Sequence, residues 1–241
     1  MNPDVFERYE IKYLIDRRRR DAVCALIAPR MDRDAFGEHT VMSLYYDTPD
    51  FRIIRRSIEK PVFKEKLRLR SYGVPKRDDG VYIELKSKFR GVVYKRRTAM
   101  RLSEAKSFLA GNAAPRCQIE REAAAFLARY PGIRPAALIC CEREAYFGRG
   151  EEARLRVTFD EDIRCRPDRL DPALGSSGAR LMERGEYLME VKLPGVMPLW
   201  LAHGLDALGV YPASFSKYGA AFEDGRHIAY ADMRKEISRC V

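Results

Sequence analysis

Lys64, Lys66, Arg68 and Arg70 occupy alternate positions of the segment KEKLRLR. On a β-strand that spacing places four cations on one face. Phe63, Leu67 and Leu69 take the other face, with Glu65 as the exception there. Side chains two residues apart on a strand sit about 7 Å apart. Two like charges at that distance repel by about 0.6 kcal/mol in water and by about 2.5 kcal/mol at an effective dielectric of 20. Such a face is stable when it is open to water or when a strongly anionic partner neutralises it. The chemistry it suits is the gripping of phosphate oxygens, by arginine in bidentate fashion and by lysine as a point charge.

Four further segments repeat the arrangement. Tyr82, Glu84, Lys86 and Lys88 oppose Ile83 and Leu85. Arg154, Arg156, Thr158 and Asp160 oppose Leu155, Val157 and Phe159. Glu190 and Lys192 oppose Met189, Val191 and Leu193, and Arg8, Glu10 and Lys12 oppose Tyr9, Ile11 and Tyr13. Lys64, Lys66 and Lys192 are thus candidate substrate-binding cations. Glu84, Asp160 and Glu190 are candidate oxygen ligands for Mg²⁺ or Mn²⁺, or structural ion-pair partners of the neighbouring cations. Five strands with one ionic and one apolar face predict an α+β protein. Its antiparallel sheet curls into a barrel with a charged interior, and helices pack on the apolar exterior.

Composition narrows the partner. Lys and Arg number 45 against 35 Asp and Glu, a formal net charge of +10, so an anionic partner is expected. The 46% of apolar residues excludes a disordered chain. No apolar run reaches the ~20 residues that span a bilayer, and the acidic start MNPDVFERYE lacks a signal-peptide core. The chain therefore reads as soluble and cytoplasmic. Its six cysteines form no CxxC pair and do not read as a disulfide scaffold. There is no GxxxxGK[ST] loop and no GxGxxG between strand and helix. The three histidines, His39, His203 and His227, share no ligand spacing, and no Ser or Cys lies in a nucleophile context. Chemistry built on charge, positioning and a hard metal ion remains, and phosphoryl transfer is chemistry of that kind.

The elements that must position these residues follow from the same sequence. Asp16 reads as the N-cap of a helix over 17–28 that Pro29 ends. VMSLYYD at 41–47 reads as a strand, and Thr48-Pro49 begins a turn or short helix. Residues 62–88 read as an antiparallel hairpin around Gly73, Pro75 and Asp78-Asp79-Gly80. A strand over 92–102, a short helix from Ser103, a helix over 117–130 and strands near 136–147 and 153–163 come next. Asp168–Gly185 reads as a loop, and helices are expected after Pro198 and over Phe215–Phe222. No linker divides residues 1–225, which read as one domain. Residues 226–241, with Arg226, Arg234, Lys235 and Arg239, read as a basic tail.

ERYEIKYLI, SLYYDTPDF, KEKLRLRSYG, YIELKSK, YKRR, LRVTFD, LMEVKLP and FSKYGAAF occur in that order over about residues 6–222. Together they resemble the VTC domain, the catalytic domain of the vacuolar transporter chaperone polyphosphate polymerase. That family belongs to the triphosphate tunnel metalloenzymes, alongside the CYTH proteins. The resemblance implies an eight-stranded antiparallel tunnel barrel with helices outside. It also implies Mn²⁺- or Mg²⁺-dependent transfer of the ATP γ-phosphate onto a growing polyphosphate chain, with release of ADP. Carried over by position, Lys12, Arg68, Arg70, Lys86, Arg143 and Arg156 match the family's tunnel cations. Lys95 and Lys217 match further lysines along the path, and Glu190 matches the metal-holding glutamate. The eukaryotic arrangement adds an N-terminal inositol-phosphate-sensing domain and C-terminal membrane segments, which this sequence reads as lacking. A separately encoded membrane partner is compatible with that. Two other readings keep the cationic tunnel: a triphosphatase acting on tripolyphosphate, thiamine triphosphate or nucleotides, and a polyphosphate-binding module without turnover. Sequence-specific nucleic-acid binding is not expected, because most aromatic residues fall on apolar faces or in helices. Nothing in the pattern specifies an oligomeric state.

Overall fold

The computed structural model describes residues 9–90 and 92–223. It is built on an antiparallel sheet whose main path has eight strands. In chain order these are β1 (Tyr9–Asp16), β3 (His39–Asp47), β4 (Phe63–Tyr72), β5 (Gly80–Phe89), β6 (Val92–Arg101), β7 (Arg134–Gly148), β8 (Arg156–Arg166) and β10 (Glu186–Leu193). Two short strands join the sides: β2 (Met31–Arg33) pairs with β7, and β9 (Ala179–Arg180) pairs with β8. The path runs β1-β10-β8-β7-β3-β4-β5-β6. It curls until its two ends approach, but β1 and β6 do not pair. The tunnel of the sequence reading is therefore a barrel-like sheet with an open seam, not a closed cylinder.

Among the described residues six α-helices surround the sheet: α1 (Arg17–Ile27), α2 (Arg52–Ile58), α3 (Leu102–Leu109), α4 (Gln118–Arg129), α5 (Leu199–Ala207) and α6 (Lys217–Glu223). Helices α1 and α5 cover the apolar faces of β1, β8 and β10, where Val23, Ile27, Leu201 and Leu205 meet Tyr13, Val157, Met189 and Val191. Helices α3 and α4 cover β3 to β6, where Phe108 and Phe126 meet Leu67, Leu69 and Ile83. Glu65, the exception on the apolar face of β4, accepts hydrogen bonds from Arg129 (2.8 Å) and Tyr130 (3.0 Å). Asp16 caps α1 as expected, accepting from the Arg19 amide at 2.7 Å.

Several boundaries differ from the sequence reading. Strand β8 begins at Arg156, so Arg154 lies in the preceding turn. Helix α3 starts at Leu102, because the Glu104 side chain accepts from the Arg101 amide and sets the N-terminus there. The 168–185 stretch contains β9 and a short 3-10 turn at Pro172–Leu174. Arg8 and the expected tail at 226–241 lie outside the described residues. No helix among those described is long and apolar enough to cross a membrane.

Candidate functional site

The register sets the side chains that share the concave face. Arg143 lies opposite Asp160, Thr158 opposite Glu190 and Glu190 opposite Lys12. Arg156 lies opposite Lys192, and Lys192 opposite Glu10. On the other wall Arg68 lies opposite Glu84, and Lys66 opposite Lys86, which in turn faces Lys95. The two walls meet through Lys86 and Glu10, whose charges are 3.2 Å apart across the lumen. Every candidate residue from the sequence therefore lines one space.

Two separate ion networks organise it. In the first, fully buried Glu84 accepts from Arg68 Nε at 2.8 Å, pairs with Lys95, and has Arg70 at 3.9 Å. Burial alone would raise its carboxyl, but Arg68, Arg70 and Lys95 hold it well below the usual carboxylate range. In the second, Arg143 grips fully buried Asp160 with two parallel hydrogen bonds, and Lys217 of α6 donates to the same carboxylate. Glu190 accepts from Lys192 at 2.6 Å and has Lys217 at 3.6 Å, Arg143 at 3.7 Å and Lys12 at 3.9 Å. Lys12 is also 3.5 Å from Glu10. Against burial, the neighbouring lysines hold Glu190 well down and Glu10 at about 2.

These carboxylates do not gather as the sequence reading grouped them. Glu84 belongs to one network and Asp160 and Glu190 to the other. Among the described residues no three His, Cys, Asp or Glu side chains form a metal-binding group. What the lumen offers is Glu190 with Glu10 beside it. A hard divalent ion that takes most of its ligands from water and phosphate oxygens needs only one or two carboxylates. The donors fit an ion that arrives with a polyanion, and Glu10 is a candidate the sequence reading passed over. Its place on the charged face of β1 was the available signal.

Among the described residues several cations make no close contact with a carboxylate. Lys66 donates to Ser216 Oγ at 3.2 Å, and burial among other lysines pulls it down to about 8. Lys64 donates to the Ser57 carbonyl at 3.1 Å. Arg70 donates to Ser43 Oγ at 3.3 Å. Arg156 forms no ion pair among the described residues, and its buried Nε has no partner. Its guanidinium lies over the Phe147 ring, 4.6 Å from the centroid. Burial first, then Arg143, weakens the Arg156 guanidinium's hold on its proton. An anion with several charges would find these groups already in place.

The lumen is not charged throughout. At the end where β3 finishes and β10 begins, Val41, Tyr45, Ala137, Ile139, Ile163 and Leu188 form an apolar cluster with Ile54 of α2 and Tyr218 and Ala221 of α6. The charged interior expected from the sequence is thus bounded at this end by apolar packing. Tyr218 stacks on Tyr45 with ring centroids 4.6 Å apart and donates to buried Asp47 at 2.9 Å. Asp47 also accepts the amides of Thr48, Ile53 and Ile54, which ties α6 to the start of α2.

The family model described as the VTC domain matches residues 7–224. The chain belongs to the VTC domain family. No curated protein matches it. Among solved structures, this VTC domain resembles a candidate adenylate cyclase from Bacillus halodurans, with a TM-score of 0.55 and 13% identity over 88% of this chain and 95% of the other. At that identity the likeness speaks to the fold alone. A candidate adenylate cyclase from Vibrio parahaemolyticus also matches, with a TM-score of 0.46 and 12% identity over 89% of this chain and 97% of the other.

Proposed function

We propose that this VTC domain is a divalent-metal-dependent polyphosphate polymerase that moves the γ-phosphoryl group of ATP onto the end of a phosphate chain and releases ADP. One observation carries the reading: cations continue from the lumen to the surface. In the register of β4 with β5, Lys66 lies opposite Lys86 and, two residues further along, Lys64 lies opposite Lys88, which is exposed. A polymer with a charge on every unit suits such a line, because no sequence has to be read.

In the transfer a terminal oxygen of the chain attacks the γ-phosphorus, the bond from that phosphorus to the β-bridging oxygen breaks, and the electron pair leaves with ADP. Arg70, Arg156 and Lys66 would hold the equatorial oxygens, and Arg143 and Lys217 would be aimed by Asp160. Glu84 is a positioning residue that orients Arg68 and Lys95. Glu190 and Glu10 would hold Mn²⁺ or Mg²⁺ against the phosphate oxygens, where the ion neutralises developing charge. Positioning and fixed charge supply most of the catalysis in phosphoryl transfer.

A second reading has support of its own. Helices α2 and α6 cover one end of the lumen, which favours short substrates and water as the acceptor, as in a triphosphatase. The test is incubation of the full-length protein with ATP and Mn²⁺, with ADP, free phosphate and polymer length measured. One ADP per phosphate unit added to the polymer is expected, and both ADP release and polymer growth should be lost in Glu190→Ala. Free phosphate without polymer supports the hydrolase, and absence of any turnover with retained polyphosphate binding supports a binding module.

A further inference from the structure

The rim opposite α2 and α6 is lined by aromatic rings that neither ion network uses. Tyr72 ends β4, Tyr82 lies near the start of β5 and His39 starts β3, and all three share the concave face with the cations. Tyr72 meets His39 edge-on at 5.8 Å and Tyr82 edge-on at 5.9 Å between centroids. The Arg97 guanidinium already covers the Tyr82 ring at 4.9 Å. Tyr72 remains 48% exposed between these two neighbours, so part of its ring is left for a ligand. The chain turns away directly after it: Gly73 adopts a left-handed φ of 76° and donates its amide to the Thr40 carbonyl at 2.8 Å, which only glycine does without strain. Arg70 lies two residues inward on the same face, about 7 Å away, and Tyr72 is near enough to Arg156 to influence its charge.

We infer that Tyr72 is the platform of a nucleobase shelf, on which the base of a nucleoside triphosphate stacks while its phosphates reach inward to Arg70 and Arg156. The inference rests on the triphosphate reading above and adds which end of the lumen takes the nucleoside. Stacking on a ring discriminates by ring area, so purines bind better than pyrimidines and ATP and GTP bind alike.

The test compares ATP with inorganic tripolyphosphate by calorimetry on the full-length protein. Wild type should bind ATP more tightly than tripolyphosphate. Tyr72→Ala should weaken ATP about tenfold, within the range for one stacked base, and leave tripolyphosphate unchanged. Tyr72→Phe should restore ATP binding. The unchanged tripolyphosphate affinity also reports that the variant is folded. Equal losses for both ligands, or no loss for either, would overturn the shelf while leaving the phosphate site standing. Failure of wild type to bind either ligand would overturn the phosphate reading itself, and the shelf with it.

Discussion

The charged and the apolar ends of the lumen share β7, β8 and β10, yet they hold together by opposite means. At the charged end, buried carboxylates are each surrounded by several cations. At the other, Tyr45, Ile139, Ile163 and Leu188 pack against α2 and α6. The boundary is a backbone event. On β8 the pairing with β7 gains a residue between Glu161 and Arg164, and Asp162 there has φ of 47°, the signature of a β-bulge. Before it Arg156, Thr158 and Asp160 face inward. After it Ile163 and Cys165 do, because one extra residue turns every later side chain to the other face. Charge held for a ligand and a core held for stability can therefore share one strand.

Removing the centre of the first network should have the largest effect. Glu84→Ala leaves Arg68, Arg70 and Lys95 facing each other without a counter-charge. Breaking a buried ion pair from one side costs about 3–5 kcal/mol, to be read from urea unfolding. In the apolar end Ile54→Ala should cost about 2–5 kcal/mol and leave the affinity for tripolyphosphate unchanged. If Ile54→Ala weakens tripolyphosphate as much as Glu84→Ala does, the two ends are not independent and the contrast fails.

A smaller change probes the seam between the helices. Tyr218→Phe removes the hydroxyl that donates to Asp47, whose carboxyl burial already pushes up. The three backbone donors remain, so a loss of about 1–2 kcal/mol is expected, with turnover retained. A loss of turnover without loss of stability would mean that α6 takes part in the chemistry through more than Lys217.

How much of this was legible beforehand depends on the range of the interaction. The two-residue period of β4, β5 and β10 was enough to sort inward from outward residues, because strand geometry is local. The VTC motifs then picked out cations that the fold brings around one space. The bulge at Asp162 was not legible, since DEDIRC carries no glycine to mark it, and it ended the charged face of β8. Nor were the partners across the lumen. Glu10 meets Lys86 only because the sheet curls, and Lys217 reaches Asp160 only because α6 closes one end. FSKYGAAF reads as a helix, but its burial inside the sheet depends on Tyr45 and Ile54, far away in the chain.

The smallest expected effect separates the lysines that wait for a ligand from those already paired. Burial, the larger cause, pulls Lys66 and Lys192 down to about 8 each, below the 10.5 of an exposed lysine. Between about pH 8 and 10.5 the native state binds fewer protons than the unfolded chain, so the cost of these lysines to stability is relieved as pH rises. A bound polyphosphate acts in the other direction: it favours the charged lysine and draws a proton in. If the anion binds only the charged form, affinity falls about fourfold per such lysine between pH 7 and 8.5. Lys192 already donates to Glu190, whereas Lys66 has only a hydroxyl, so Lys66 should carry most of the change. Calorimetry of tripolyphosphate binding at pH 8.5, in buffers of different ionisation enthalpy, counts the protons taken up. Lys66→Met should reduce that count by a large fraction of one, a difference in which the ligand's own titration cancels. An unchanged count would mean that Lys66 does not meet the phosphates, and the charged end would then be organised around its carboxylates alone.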